Sequence, residues 1–256
     1  MGIAIVTGGS SGIGRATAVE LAKRGEGVIF TYRGNEQAAA GLVAEIEKDG
    51  GAAVAVRLDL GDTTTFPAFV DEVRNALSST WETDRFTSLV NNAGVGGGMT
   101  FAETTEEYFD MMSRVLFRGP FFLTQKLLPL LADGGAIVNV GSSSARSNGT
   151  ERGGGYAAYA ANKGAVAVLT RYLAVELAGR GIRVNTISPG TTRTGIGDNA
   201  FETYAHLIPE FGKKVLLGRI GESEDVAAAI AVLVSADGRW ITGQDIEVSG
   251  GYQLGV

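Results

Sequence analysis

The sequence predicts an α/β fold, a doubly wound and predominantly parallel seven-stranded sheet with helices on both faces. Short β-branched runs alternate with longer segments of helical period along the chain, the pattern of repeated β-α-β units with right-handed crossovers. Glycines gather at apparent strand ends, where such sheets let ligands approach the backbone. The length of 256 residues and an apolar content of 45% suit one hydrophobic core, so residues 1–256 are read as a single domain.

The first unit is the strand Ile3–Thr7, a helix from about Gly12 to Arg24 and the strand Val28–Tyr32. The alternation continues with a helix near Glu36–Lys48, a strand Ala53–Arg57, a helix near Thr65–Ser78 and a strand Ser88–Asn91. A long helix follows over Glu106–Leu131, with a bend expected around Pro120. The series closes with Ala136–Gly141, a helix from about Ala157 to Ala178, Arg183–Ser188, a helix near Glu222–Ser235 and the strand Asp245–Val248. Three stretches interrupt the rhythm: Ser79–Phe86, the glycine-rich Asn148–Tyr156, and Thr191–Val215.

Composition excludes much chemistry. Without cysteine there is no disulfide, thiol nucleophile or zinc-thiolate site, and the single histidine, His206, cannot build a histidine metal cluster, so no metal is expected. A net charge of −6 and a pI near 5.0 disfavour non-specific binding to nucleic acid or anionic membranes. No apolar stretch is long enough to cross a bilayer, and neither end has the basic-then-apolar pattern of a leader, so the expected location is the cytoplasm.

The first strand runs directly into Thr7-Gly8-Gly9-Ser10-Ser11-Gly12-Ile13-Gly14, which opens an alanine-rich helix. This Rossmann-type strand–turn–helix context suits a dinucleotide. Small residues admit a pyrophosphate, Gly14 permits close helix–strand packing, and the helix N-terminus offers free N–H groups with a partial positive charge. In such folds a carboxylate at the end of the second strand holds the ribose 2′-hydroxyl, whereas arginine there accommodates a 2′-phosphate. Here the strand ends Tyr32-Arg33-Gly34-Asn35, so Arg33, helped by Arg15, predicts NADP(H) over NAD(H), with Glu36 the nearest opposing charge.

Tyr159 and Lys163 stand four residues apart in a helical segment and share one face. A free phenol is a poor base at neutral pH, but a nearby ammonium stabilises the phenolate and lowers its pKa. On that reading Lys163 activates Tyr159, which gives a proton to an alkoxide or takes one from an alcohol while hydride moves on a cofactor. In isolation, a tyrosine–lysine pair and a glycine-rich turn both have ordinary structural readings.

Together these motifs resemble the short-chain dehydrogenase/reductase family over essentially the whole chain, most closely its 3-oxoacyl-[acyl-carrier-protein] reductase-like branch. The resemblance is carried by Thr7–Gly14, Asp59-Leu60, Asn91-Asn92-Ala93-Gly94, Ser142–Ser144, Tyr159-x-x-x-Lys163, and Pro189-Gly190 followed by Thr194. Trp240–Gln244 and Ser249–Gly251 are similar to the branch's final strand and subunit-contact tail.

The resemblance implies a cofactor site of Gly8, Ser10, Ser11, Gly12, Ile13, Gly14 and Arg33, continued by Asp59 and Leu60 near the adenine and by Asn91, Ala93 and Gly94 beside the fourth strand. Tyr159, Lys163, Ile187, Pro189, Gly190 and Thr194 belong to its nicotinamide end. It further implies the catalytic set Ser142, Tyr159 and Lys163, with Ser143 and Ser144 as close competitors of Ser142. Tyr156 has Ala160 rather than lysine four residues on and is assigned to substrate contact or packing. The interval from Ser142 to Tyr159 is about four residues longer than the family usually has, absorbed by Gly153-Gly154-Gly155. Leu116 falls where the family usually places an asparagine that orders a water linking the lysine to solvent, and leucine makes no hydrogen bond.

The expected activity is NADP(H)-dependent interconversion of a carbonyl and a secondary alcohol, on a 3-oxoacyl thioester, free or carrier-linked, or on a related ketone. The alternatives are an NAD-dependent secondary-alcohol or sugar dehydrogenase and a non-catalytic dinucleotide sensor or structural protein, the latter motivated by Leu116. Residues 191–215 are expected to cover a semi-apolar substrate pocket with Ile196, Phe201, Tyr204, Leu207, Ile208 and Phe211, while His206 is left outside the site. Apolar faces on the Glu106–Leu131 and Tyr159 helices predict a homotetramer, with a dimer as the runner-up.

Overall fold

The structure, a computed structural model, describes residues 1–146, 155–203, 205–252 and 254. Seven parallel strands form one sheet in the order β3-β2-β1-β4-β5-β6-β7. They are β1 (Ile3–Val6), β2 (Gly27–Tyr32), β3 (Ala53–Arg57), β4 (Phe86–Asn91), β5 (Leu131–Val140), β6 (Arg183–Pro189) and β7 (Asp245–Val248). The order reverses between β1 and β4, which pair directly through Ala4 with Ser88 and Val6 with Val90. That reversal opens a crevice beyond the strand carboxyl ends.

Both faces of the sheet are buried, and the period of β1 shows it. Ile3 and Ile5 point into a core shared with α3 (Phe66–Trp81) and α5 (Gly119–Leu127), through Phe69, Val73, Leu77, Leu123 and Leu127. Ala4 and Val6 point into the opposite core, with α1 (Gly12–Lys23), α2 (Glu36–Lys48) and α9 (Ser223–Val234). A strand covered on both sides reads as a continuous apolar run, as β1 does.

Two expected elements differ. The helix expected over Glu106–Leu131 is α4 (Glu106–Ser113), a π turn Arg114–Arg118, α5, and a 3-10 turn Leu128–Leu130. The irregularity precedes Pro120, which sits in the first turn of α5 where a missing N–H costs little. The following strand begins at Leu131 rather than Ala136, because Leu131 pairs with Phe86 before a register shift that takes up Gly134 and Gly135.

The interruption at Ser79–Phe86 is the end of α3, closed by Glu82 in the left-handed region, and the start of β4. Residues 148–154 of the glycine-rich interruption lie outside the described residues. The third interruption holds α7 (Ile196–Thr203), a 3-10 turn Ala205–Leu207 and α8 (Ile208–Gly212), and Tyr204 lies outside the described residues. The remaining long helix, α6 (Ala157–Glu176), carries Tyr159 and Lys163. Among the described residues no helix is long and apolar enough to cross a membrane.

Candidate active site

A cleft of about 490 Å³ lies at the carboxyl ends of β1, β2, β4, β5 and β6, within the size range of ligand sites. Its floor is set by Thr7. The threonine hydroxyl accepts hydrogen bonds from the backbone N–H groups of Asn92 (2.9 Å) and Ala93 (3.0 Å), which stitches the loop after β1 to the loop after β4. Gly8 and Gly9 are held from the other side, their N–H groups donating to Thr31 Oγ1 (3.0 Å) and Thr31 O (2.8 Å).

The glycines are needed where they stand. Gly8 has φ +67°, and a Cβ there would lie 2.8 Å from Ala93 Cα. At Gly14 a Cβ would lie 2.2 Å from the Gly8 carbonyl oxygen and 2.4 Å from Asn92 Nδ2, so the helix reaches the loop only because that position is bare. Gly8, Ser10, Ser11, Gly12 and Ile13 all line the cleft at the first turn of α1, whose N–H groups have no intrahelical acceptor. Across from them, Thr194 stands 3.4 Å from the Cβ position of Gly12, leaving a narrow backbone-lined channel.

At the far end of β2, Arg33 is exposed and lines the cleft, next to Leu58, Asp59 and Leu60. Asp59 is turned to its own loop, accepting from the Gly61 N–H (2.8 Å). Arg15, expected to assist Arg33, is instead ion-paired with Glu45 on α2. The second arginine at this corner is Arg57, whose Nε donates to the Arg33 carbonyl (3.2 Å). Parallel pairing of Tyr32 with Arg57 brings the two arginines together, a neighbourhood that sequence spacing does not reveal.

The other end holds Ser142, Tyr159 and Lys163, all in the cleft wall beside Pro189, Gly190 and Thr192. Ser142 follows β5, and its Oγ contacts Ser144 Oγ (3.0 Å) while accepting from the Ser144 N–H (3.2 Å). Burial pushes the Tyr159 phenol above its ordinary pKa; a hydrogen bond with Ser142 partly offsets this, and the nearby Tyr156 adds to it. Lys163 is only 6% exposed, and burial lowers its pKa to about 8. Its ammonium donates to the Val140 carbonyl (2.7 Å) and lies 5.9 Å from the centre of the Tyr159 ring.

In the free protein desolvation dominates at the phenol, and the Lys163 ammonium donates one of its N–H groups to a β5 carbonyl.

A family model described as enoyl-(acyl carrier protein) reductase matches residues 8–253. An uncharacterized oxidoreductase of Bacillus subtilis, YxbG, is 36% identical over 97% of the chain and 89% of its own length. Among solved structures, the promiscuous reductase LugOII, which catalyses keto-reduction at C1 during lugdunomycin biosynthesis, superposes with a TM-score of 0.92 at 36% identity, covering 99% of this chain and 98% of its own. The angucycline C-6 ketoreductase LanV with bound NADP gives a TM-score of 0.92 at 35% identity, covering 99% and 96%. The chain belongs to the short-chain dehydrogenase/reductase family.

Within this short-chain dehydrogenase/reductase, most residues expected at the site face one cleft, and three do not. Gly14 is spent on packing rather than on the wall, as its close contacts show. Asn91 is buried and turns its amide to Thr124 Oγ1 (2.9 Å) and Asn139 Oδ1 (2.8 Å); the cleft is lined instead by its neighbour Asn92, with Ala93 and Gly94. Ile187 is a core residue of β6, and its carbonyl accepts from the Gly141 N–H (2.7 Å). Alternation along a strand explains both misses, since Asn91 and Ile187 point into the sheet's covered faces.

Leu116 lies where the resemblance puts it. It is 2% exposed, and its Cδ2 sits 3.3 Å from the Cβ position of Gly94, whose other near neighbours are the Asn92 carbonyl oxygen at 3.8 Å and Lys163 Nζ at 3.9 Å. The side chain is apolar and stands in the π turn Arg114–Arg118, just before Pro120 in the first turn of α5.

Proposed function

We propose that this cleft holds NADP(H) and that the enzyme reduces a ketone on a small organic molecule to the secondary alcohol. One observation carries the reading: Ser142, Tyr159 and Lys163 stand together in the wall of one cleft, where a carbonyl oxygen would meet a hydroxyl and a phenol able to give it a proton.

The residues present fit the cofactor. Gly8, Ser10, Ser11, Gly12 and Ile13 form the bare first turn that suits a pyrophosphate, with Thr194 opposite; Asp59, Leu60, Ala93 and Gly94 suit the nucleoside wall. Arg33 beside Arg57, with no carboxylate at the end of β2, suits a 2′-phosphate, and LanV carries NADP. When bound, the nicotinamide supplies the hydride. Ser142 would hold the substrate oxygen, Tyr159 would give it a proton, and Lys163, anchored to Val140, would keep a positive charge behind the phenol and hold the nicotinamide ribose with Pro189 and Gly190.

LugOII is described as catalysing keto-reduction at C1 and LanV as an angucycline C-6 ketoreductase, which supports a ketone over a 3-oxoacyl thioester, free or carrier-linked. Residues 191–215 would cover the substrate through α7, where Ile196 reaches the cleft wall. Phe121 and Phe122 on α5 and Tyr172 and Val175 on α6 are exposed, which supports self-association into a homotetramer through these helices, a state light scattering measures directly.

The test is consumption of NADPH and NADH by the purified protein over ring ketones, diketones, β-ketoesters and β-ketoacyl thioesters. Turnover of ring ketones with NADPH preferred is the expected result. Preference for NADH with secondary alcohols would establish the dehydrogenase alternative, and cofactor binding with no turnover across the panel would favour a sensor.

A further inference from the structure

The turn that carries Ser142 is held at both ends by one carboxylate. Asp245, the first residue of β7, stands 99 residues from Arg146 in sequence, and its side chain is 15% exposed. One of its oxygens accepts from the hydroxyl of Ser188, a buried residue of β6 (2.6 Å). That hydroxyl lies 2.7 Å from the Cβ position of Gly141, the residue before Ser142, so Ser188 fills the space a side chain there would need. The other carboxylate oxygen takes the far end of the turn. Arg146 Nε donates to Asp245 Oδ2 (3.1 Å), and Arg146 Nη2 lies 2.8 Å from the same oxygen and also donates to the Asp245 carbonyl. Glu247, two residues on along β7, comes within 3.8 Å of Arg146 Nη1. Between the two holds runs the 3-10 turn Ser143–Ala145, closed by the Ala145 N–H on the Ser142 carbonyl (3.1 Å) and the Arg146 N–H on the Ser143 carbonyl (2.9 Å).

We propose that Asp245 is a positioning residue for the Ser142 hydroxyl, acting through Ser188 at one end of the turn and Arg146 at the other. This rests on the reading that Ser142 holds a ketone oxygen beside Tyr159. None of Asp245, Arg146 and Ser188 lines the cleft, so their effect on the reaction passes through the turn. A single 3-10 turn has few hydrogen bonds of its own with which to fix a side chain. A reacting group misplaced by about 1 Å loses on the order of 100-fold in rate, which gives the outside support its value. The support is also of the right kind. A guanidinium that meets a carboxylate through Nε and Nη2 is directional, whereas an exposed ion pair adds little to stability, so the contact orients more than it stabilises.

The experiment measures kcat and KM for NADPH-dependent reduction of 1-decalone by the parent, Asp245→Ala, Ser142→Ala and the double variant. NADPH affinity is read by its fluorescence, and amide hydrogen exchange by mass spectrometry. Asp245→Ala should lower kcat about tenfold or more and leave NADPH affinity unchanged. In the Ser142→Ala background the same substitution should cost less than about twofold, because no hydroxyl remains to be positioned. The amides of residues 141–146 should exchange at least about tenfold faster in Asp245→Ala, while those of β1 and α1 keep the parent's rates. Arg146→Ala, at a side chain 39% exposed, should give the same pattern and decides the matter if Asp245→Ala does not fold.

An equal loss of kcat with and without the Ser142 hydroxyl would overturn the positioning role and leave Asp245 a structural residue. Unchanged kcat in Asp245→Ala, or unchanged exchange over residues 141–146, would overturn it as well. Exchange is read separately from turnover. Faster exchange over 141–146 in the variant of a parent that reduces neither 1-decalone nor any ketone of the panel above would sink the ketone reduction and leave the hold on the turn standing, whereas turnover by the parent with unchanged exchange in the variant would do the reverse.

Discussion

The two ends of the cleft are built by different means. The end around α1 is made of backbone: Gly8, Gly12 and Gly14 are defined by what they lack, and Thr7 fixes the loop by accepting two main-chain N–H groups. The end around α6 is made of side chains from separate elements, Ser142 after β5, Tyr159 and Lys163 on α6, with Leu116 in the π turn behind them. A backbone site tolerates no added atoms but is indifferent to neighbouring side chains. A side-chain site accepts substitution at the cost of chemistry. Changes at the first end should therefore abolish cofactor binding together with stability, and changes at the second should separate binding from turnover.

The largest effect is expected at Gly14. Valine there drives a side chain into the Gly8 carbonyl and Asn92, an overpacking cost of about 3 kcal/mol. The melting temperature should drop by on the order of 5–10 °C, and NADPH binding, followed by its fluorescence, should weaken at least about 100-fold. Normal binding in Gly14→Val would break the contrast between the two ends.

Arg33→Ala tests the one side chain on which cofactor choice at the backbone end depends. Losing charge-assisted bonds to a phosphate costs about 2 kcal/mol, so NADPH should bind about thirtyfold more weakly while NADH is unchanged. Equal losses for both cofactors would mean that Arg33 supports the fold rather than the 2′-phosphate.

Lys163 sharpens the other half of the comparison, because its burial is a stability cost borne at the chemical end. Its pKa falls from the ordinary 10.5 to about 8 in the folded protein, so between those values the unfolded chain binds more protons and stability rises with pH. Lys163→Met should therefore stabilise the cofactor-free protein by about 2 kcal/mol below pH 8, an advantage that shrinks as pH approaches 10.5. Urea denaturation of both proteins across that range reads it, and a variant less stable at pH 7 would show that the Val140 hydrogen bond outweighs the burial.

The smallest effect lies far from the cleft. Asp225 closes a capping box with Glu222 at the start of α9 and accepts two bonds from Arg219, which together bring its pKa down from 3.8 to about 2. Its contribution is present above pH 3.8 and lost as pH falls towards 2. Asp225→Asn should cost about 1 kcal/mol at neutral pH by thermal denaturation, most of it the cap, since the exposed ion pair is screened. Cofactor binding should not change.

Sequence showed the backbone end more fully than the side-chain end, for physical reasons. A glycine loop between a strand and a helix is local, and local patterns survive in one dimension. So do the apolar periods of β1 and α3 and the four-residue spacing of Tyr159 and Lys163. What escaped was set by distance along the chain. Glu45, thirty residues from Arg15, removes that arginine from the cofactor corner, and strand pairing substitutes Arg57. The faces of Asn91 and Ile187 depend on which strand residue ends its alternation, a matter of one position. The π turn at Leu116 announced itself only as a proline four residues downstream.

The most direct test of the central claim is NADPH oxidation with a ring ketone by the parent protein and by Tyr159→Phe, with cofactor affinity measured on both. Phenylalanine keeps the ring and removes only the hydroxyl. The account predicts that NADPH binds both proteins alike and that turnover falls by about 100-fold or more in the variant, the scale of general acid catalysis. Equal turnover in the two proteins would contradict it and move the proton donor elsewhere in the cleft.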